Sequence, residues 1–323
     1  MKGRRHFVRT LCGGFLVASL AAKPQPSIQV RRIGILSPGP AAAAEFQDIA
    51  GLLRGLGWIE GSNLSLEGRS AQAKLDRLPA LANELTTLKV DLIVAYGTDA
   101  AEAAKGATAT VPIVMVSAGD PVSAGLITSL ARPGGNITGY SFLHPELVRK
   151  KAALLHEMLP AVRRVCVLIN PVGRTSGRLQ ATEAAYRSLG LHAIVIEVST
   201  EPQFLDALAQ ATRQRAEALD FAQLSMPIPG ALMQAVRQFR LPTMVSDRED
   251  VEAGALMSFA ADLAEGYRRV AATIDKILRG AKPADLPVEL PTRFELVVNL
   301  KVAKELGITV PQSILLRADQ LIR

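Results

Sequence analysis

The chain is poor in aromatic residues, which make up 4% of its 323 positions and include a single Trp. Stacking platforms for single-stranded nucleic acid need exposed rings, so that class of partner is disfavoured. Cysteine is scarce too. Of the two, Cys12 falls in an N-terminal apolar run, and Cys166 is left with no partner for an intramolecular disulfide. Cys166 lies within Arg164-Val165-Cys166-Val167-Leu168-Ile169, the pattern of a buried strand in which a thiol serves as a small hydrophobe. Histidine is rare: His6, His144, His156 and His192 are scattered without metal-ligand spacing, and none is placed to activate the thiol. No phosphate loop, nucleophile elbow or paired-carboxylate motif is present, and Gly134-Gly135 follows a helical stretch instead of joining strand to helix. The expectation is a protein that is not an enzyme and needs no cofactor and no metal.

Acidic residues are missing from the first ten positions, which hold Lys2, Arg4, Arg5 and Arg9. Without these four charges the net charge falls from +7 to +3, so the basic excess is no footprint of a nucleic-acid partner. Leu11 to Ala22 is an apolar run of twelve, too short to cross a bilayer, and Lys23-Pro24-Gln25-Pro26 breaks it. A basic start, a short apolar run and small residues at Ala21-Ala22 are the parts of a cleaved export signal. Arg4-Arg5-His6-Phe7-Val8-Arg9 looks like a twin-arginine signal, with the general secretory route as the alternative. Cys12 comes too early in the run to be a lipid-anchored cysteine. No later segment approaches transmembrane length.

From about residue 31, apolar strand-like runs alternate with stretches of helical periodicity. Strands at 32–36, 64–67, 90–96 and 112–116 alternate with helices at 42–56, 75–88 and 98–105, and a helix is expected from 117 to 130. Such alternation marks a parallel sheet covered by helices, and continuous apolar strands fit burial on both faces. Arg132-Pro133-Gly134-Gly135-Asn136 interrupts it, and a second unit of similar size comes after. Its strands are expected at 164–169, 193–198, 219–224 and 242–245, and its helices at 177–189, 203–215 and 230–239. A short strand at 255–258 precedes a long helix, Leu263 to Arg279, stopped by Gly280. The fold class is therefore α/β, with two Rossmann-like lobes whose parallel sheets are joined by a multi-strand hinge. Residues 1–27 are assigned to the signal and linker. The first lobe takes 28–140 plus about 257–285, and the second takes 141–256 plus about 286–323.

Several phrases resemble one family of bacterial ABC-transporter substrate-binding proteins. They are Leu56-Gly57-Trp58-Ile59-Glu60-Gly61-Ser62-Asn63-Leu64, Asp76-Arg77-Leu78-Pro79-Ala80-Leu81, Leu130-Ala131-Arg132-Pro133-Gly134-Gly135-Asn136, Val251-Glu252-Ala253-Gly254-Ala255-Leu256-Met257-Ser258 and Ala281-Lys282-Pro283-Ala284-Asp285-Leu286-Pro287. The resemblance runs from about residue 31 to the C-terminus. It implies the type I periplasmic-binding-protein fold, with a cleft between two α/β lobes. It also implies a periplasmic, monomeric protein that hands a small polar ligand, an amino acid or related carboxylate, to an ABC permease in the inner membrane. Feeding a sensor kinase is the alternative. Characterised relatives bind aromatic amino acids. This chain departs from the family pattern at Leu224-Ser225-Met226-Pro227-Ile228-Pro229, where relatives often have Asp-Pro, and at Met244-Val245-Ser246, where they often have an aromatic.

Ligands of open parallel sheets bind outside the carboxyl ends of the strands. The residues that fall there are Ser37, Gly97, Thr98, Ser117, Asp120, Asn170 and Asp247. Gly97 lets a ligand approach the backbone, and Thr98 can cap a helix whose free N–H groups suit a carboxylate. Asp120 before Pro121 reads either as a cap or as a partner for a ligand ammonium. Asp247 reads either as a cleft-facing acid or as half of a solvated pair with Arg248. Trp58 comes after a helix end, where packing is its simplest role.

Overall fold

The computed structural model describes residues 30–39, 42–142, 144–169, 178–200, 202–223, 228 and 230–323. The first unit runs β1 Arg31–Ser37, α1 Ala42–Gly55, β2 Leu64–Ser70, α2 Leu78–Thr87, β3 Leu92–Tyr96, α3 Gly97–Ala107, β4 Ile113–Ala118 and β5 Ile137–Ser141. The second runs α4 His144–Met158, β6 Arg164–Ile169, α5 Arg178–Ser188, β7 His192–Glu197, α6 Gln203–Arg213, β8 Ala218–Gln223, α7 Gly230–Gln238, β9 Thr243–Val245, α8 Arg248–Glu252 and β10 Met257–Ala261. Helix α9, Leu263–Leu278, comes next; then β11 Phe294–Asn299, α10 Leu300–Leu306, α11 Gln312–Arg317 and β12 Gln320–Ile322.

Two sheets result. The first is all parallel in the order β2-β1-β3-β4-β5. The second repeats that order as β7-β6-β8-β9-β10 and extends it with β11, antiparallel to β10, and β12. The central strands β1, β3 and β6 are covered on both faces, which is why they read as continuous apolar runs, while the edge strands β2, β7 and β12 are only partly buried. In β1, Ile33 and Ile35 meet α1 and α9 through Ile49, Leu53, Val270 and Ile274, while Leu36 faces α2 and α3. In β6, Val165 and Val167 face α4 and α5, and Cys166 and Leu168 face α6 and α7. The period of two along each strand makes this division. Each fully buried Ile or Leu contributes about 1.5–3 kcal/mol.

The chain passes between the sheets three times: after Ser141, between Ala261 and Leu263, and between Glu289 and Phe294. The sequence pattern puts the second passage at about 257. Met257–Ala261 instead pairs with β9 and β11, so it completes the second sheet, and the return comes at Asp262. Helix α9 starts there because the Asp262 side chain accepts from Glu265 N–H at 2.9 Å.

The helix expected from 117 to 130 does not form. Residues 121–125 make a single turn, ended by Gly125 at φ +67°. Asp120 caps the start of this turn, accepting from the N–H groups of Val122 and Ser123. At its end Leu126 N–H reaches back to Pro121 O at 2.9 Å past the left-handed Gly125, a helix-stop arrangement. Among the described residues no helix is long and apolar enough to cross a membrane.

Candidate functional site

The order of the first sheet reverses between β1 and β3, and that of the second between β6 and β8. Such switch points open a crevice at the carboxyl ends of the strands. On the first lobe four strand ends meet there. The register pairs Leu36 with Ala95, Tyr96 with Val116, and Ala118 with Ser141. Ser37, Gly97, Ser117 and Ser141 therefore lie at the ends of adjacent strands or one residue beyond them.

Ser37 is fully buried, and among the described residues its Oγ has no hydrogen-bond partner. Gly97 opens α3 at φ +76°, a left-handed conformation that glycine adopts without strain. The N-cap of α3 is Tyr96, whose side chain makes no capping bond, and Asp99 stands in the first turn. Thr98 does not cap that helix. Its Oγ1 accepts from Gly119 N–H at 3.0 Å, while Ser141 Oγ donates to Gly119 O at 2.5 Å. The Gly119 peptide is thus held on both sides, and the loop after β4 is fixed beside α3.

Asp120 is spent on its own turn. Its Oδ1 accepts from Val122 and Ser123 N–H at 3.1 Å each, and its Oδ2 from Ser123 Oγ at 2.6 Å. Burial pushes the carboxyl up, but the bonds from Ser123 and Val122 outweigh it and leave it below its ordinary value. These are the bonds of a turn cap.

On the second lobe a cavity of about 490 Å³ opens beyond β9, β10 and β11. Ser246, Asp247, Ser258, Asp262, Leu263, Arg293 and Phe294 line it. Asp247 precedes α8 but makes no capping bond. Burial of the carboxyl pushes its pKa up, the Lys151 charge opposes this, and Glu249 adds to it. Asp250, one turn on, is pushed up to about 6 by burial and by the charges of Asp247 and Glu249. Four carboxyls, Asp247, Glu249, Asp250 and Glu252, crowd this short helix; Arg248 pairs with Glu252 at 2.8 Å, and Lys151 is the cation that acts on Asp247. Lys151 is only 6% exposed and donates to Ser246 Oγ at 3.0 Å. Asn170 lies outside the described residues, as does most of the departure at 224–229.

Sequence reasoning missed Ser141, Lys151 and Arg293. Lys151 left a signal, because it falls on the buried stripe of α4 with Val148, Ala152 and Leu155. Ser141 and Arg293 left none, since their places depend on contacts distant in sequence. Trp58 packs away from the crevice. Its Nε1 donates to Asp275 Oδ1 at 2.8 Å, and the Arg279 guanidinium lies 5.7 Å from the ring centre.

Beside the crevice the three crossings are tied together. Ser141 N–H donates to Glu289 O at 3.0 Å, and Asp262 N–H to Arg293 O at 3.1 Å. Arg269 of α9 donates to Glu265 at 2.7 Å and to Glu289 at 2.5 Å, and Thr292 Oγ1 donates to Glu265 Oε1 at 2.6 Å. These bonds from Thr292 and Arg269 hold Glu265 down at about 2.

Comparison with known proteins agrees with this architecture. Residues 32–322 match the model of a family described as ABC transporter substrate binding protein. A tyrosine-binding protein of Clostridioides difficile is 27% identical over 303 residues, covering 90% of this chain and 84% of that protein. A conserved domain protein from Vibrio cholerae has 27% identity and a TM-score of 0.76, covering 91% of this chain and all of that one. An ABC domain from Streptococcus pneumoniae, solved in complex with L-Trp, has 25% identity and a TM-score of 0.74 over the same shares. The duplicated parallel sheets, the three crossings and a match across nearly the whole described chain place this protein in the ABC transporter substrate-binding protein family, with the type I periplasmic-binding fold.

Proposed function

We propose that the chain binds an α-amino acid between its lobes and delivers it to an ABC permease, acting by capture and release and not by catalysis. The observation that carries this is the division of charge between the two rims. The first rim offers the uncapped N-terminus of α3 and the unpartnered Ser37 hydroxyl, which suit a carboxylate. The second offers Asp247, sheltered beside Glu249 and Asp250, which suits an ammonium. A zwitterion satisfies both, and it favours closure only by contacting both lobes. Tyrosine and tryptophan, the ligands named for two relatives, are the first amino acids to test. Phe294 offers them an exposed ring at the cavity wall, 5.5 Å from Phe259 in a stacked pair.

The N-terminal basic and apolar segment supports export to the periplasm, where the protein would act as a monomer. A thermal-shift screen of the purified protein tests the ligand class, using amino acids, their deaminated acids, their decarboxylated amines, sugars and nucleosides. A ligand at 100 times its Kd stabilises the fold by about 2.7 kcal/mol. Stabilisation by one or more amino acids, and by neither half-analogue, is expected. A sugar or nucleoside as sole hit would overturn the amino-acid reading.

A further inference from the structure

Two buried polar atoms of the hinge have no hydrogen-bond partner among the described residues: the Tyr140 hydroxyl and Glu265 Oε2. Tyr140 is 1% exposed and stands at the end of β5, where the first crossing begins. Its ring lies directly on α9, since a Cβ added to Gly266 would come within 2.7 Å of Cε1 and 3.0 Å of Cζ. The carbon bearing the hydroxyl therefore touches the residue next to Glu265, which explains why only glycine fits at 266. Buried donors and acceptors are costly to leave unpaired, and these two belong to Tyr140 and to the neighbour of the Gly266 that its ring covers.

The other oxygen of Glu265 is occupied. It accepts from Arg269 and from the Thr292 hydroxyl. Thr292 lies on the third crossing, two residues before β11, a strand of the second lobe. Movement of the second lobe on its hinge carries Thr292 with it, whereas Tyr140 and α9 stay packed together in the first lobe core.

We propose that Glu265 exchanges partners as the lobes move: Thr292 holds it in the arrangement described, and the Tyr140 hydroxyl donates to it in a second arrangement. Tyr140, Glu265 and Thr292 are then positioning residues that set the balance between the two arrangements, and through it the affinity for ligand. The proposal rests on the hinged-binder reading but on no particular ligand. Packing alone gives no reason for a buried tyrosine hydroxyl beside an unpaired carboxylate oxygen.

The test measures interlobe distances by electron paramagnetic resonance in the ligand-free protein. Spin labels are carried by Asp76→Cys on the first lobe and Leu205→Cys on the second, both exposed positions. Cys12→Ser removes one native thiol. Cys166 is fully buried, with its thiol pushed up to about 12, and stays unlabelled. Two distances are expected in the parent. Tyr140→Phe should lower the population of the second arrangement about tenfold, and Thr292→Val should raise it about tenfold, because each removes the bond specific to one arrangement. Both variants delete one hydroxyl, so damage to the hinge would move them in the same direction. Equal populations in all three proteins, shifts of the same sign, or a single distance in the parent would overturn the proposal. No ligand enters the experiment, so failure of the amino-acid reading would leave its result intact.

Discussion

The two lobes share one strand order and differ in how their rims handle polar groups. On the first rim nearly every polar side chain is paired within the lobe. Thr98 and Ser141 clamp the Gly119 peptide, and Asp120 closes its own turn. Among the described residues, the Ser37 hydroxyl makes no hydrogen bond and α3 has no side-chain cap. On the second rim, Asp247, Glu249 and Asp250 stand close together, and burial and mutual repulsion push Asp247 and Asp250 up. The first rim is a rigid set of donors. The second gathers carboxyls, with Lys151, Arg248 and Arg293 also at its edge. A duplicated scaffold can thus supply both halves of a zwitterion site, one by pre-organisation and one by electrostatic frustration.

The largest effect should come from removing the charge of the second rim. Asp247→Ala is expected to weaken an amino acid by about 100-fold while leaving its deaminated acid unaffected, as for loss of a sheltered charge partner. Isothermal titration with both compounds checks it. On the first rim, Ser37→Ala should cost about tenfold in affinity through one lost hydrogen bond. Thermal stability should not fall, because the hydroxyl has no partner among the described residues. A loss of both would mean that Ser37 serves packing.

Asp250→Asn sharpens the electrostatic half of the comparison. The folded carboxyl titrates near 6, above its ordinary 3.8, so the native state binds more protons than the unfolded one between these values. Stability from this group is present below pH 4 and is lost as the pH rises through 6. The amide variant should therefore be more stable than the parent at pH 7.5 by about 1 kcal/mol, discounted for partial exposure, and equal to it near pH 4. Urea unfolding at the two pH values reads this directly. The smallest effect belongs to the paired rim. Asp120→Ala should lose about 0.5–1 kcal/mol of stability as a cap and leave affinity unchanged within about twofold.

The fold was legible in the sequence where local pattern decides it. Apolar runs such as Leu92–Tyr96 and the long amphipathic stretch of α9 fix strand and helix with little help from distant contacts. The helix expected after β4 failed because a left-handed Gly125 ends it after one turn, with Leu126 N–H reaching back to Pro121 O, which periodicity does not register. The passage at 257 was misplaced because β10 is short, and only its pairing with β11 shows which sheet owns it. Among site residues, strand ends were readable, so Ser37, Gly97 and Thr98 fell at the crevice. What each side chain bonds to was not. Thr98 reaches a residue 21 positions on, and the Arg269 cluster joins residues 20 positions apart.

The most direct test of the divided site is titration of the purified protein with an amino acid found in the screen, with its deaminated acid and with its decarboxylated amine. The account predicts that each half-analogue binds at least 100-fold more weakly than the zwitterion, and that Asp247→Ala abolishes the difference between amino acid and acid. Equal affinity for the amino acid and its deaminated acid would contradict it, because the second rim would then hold no ammonium.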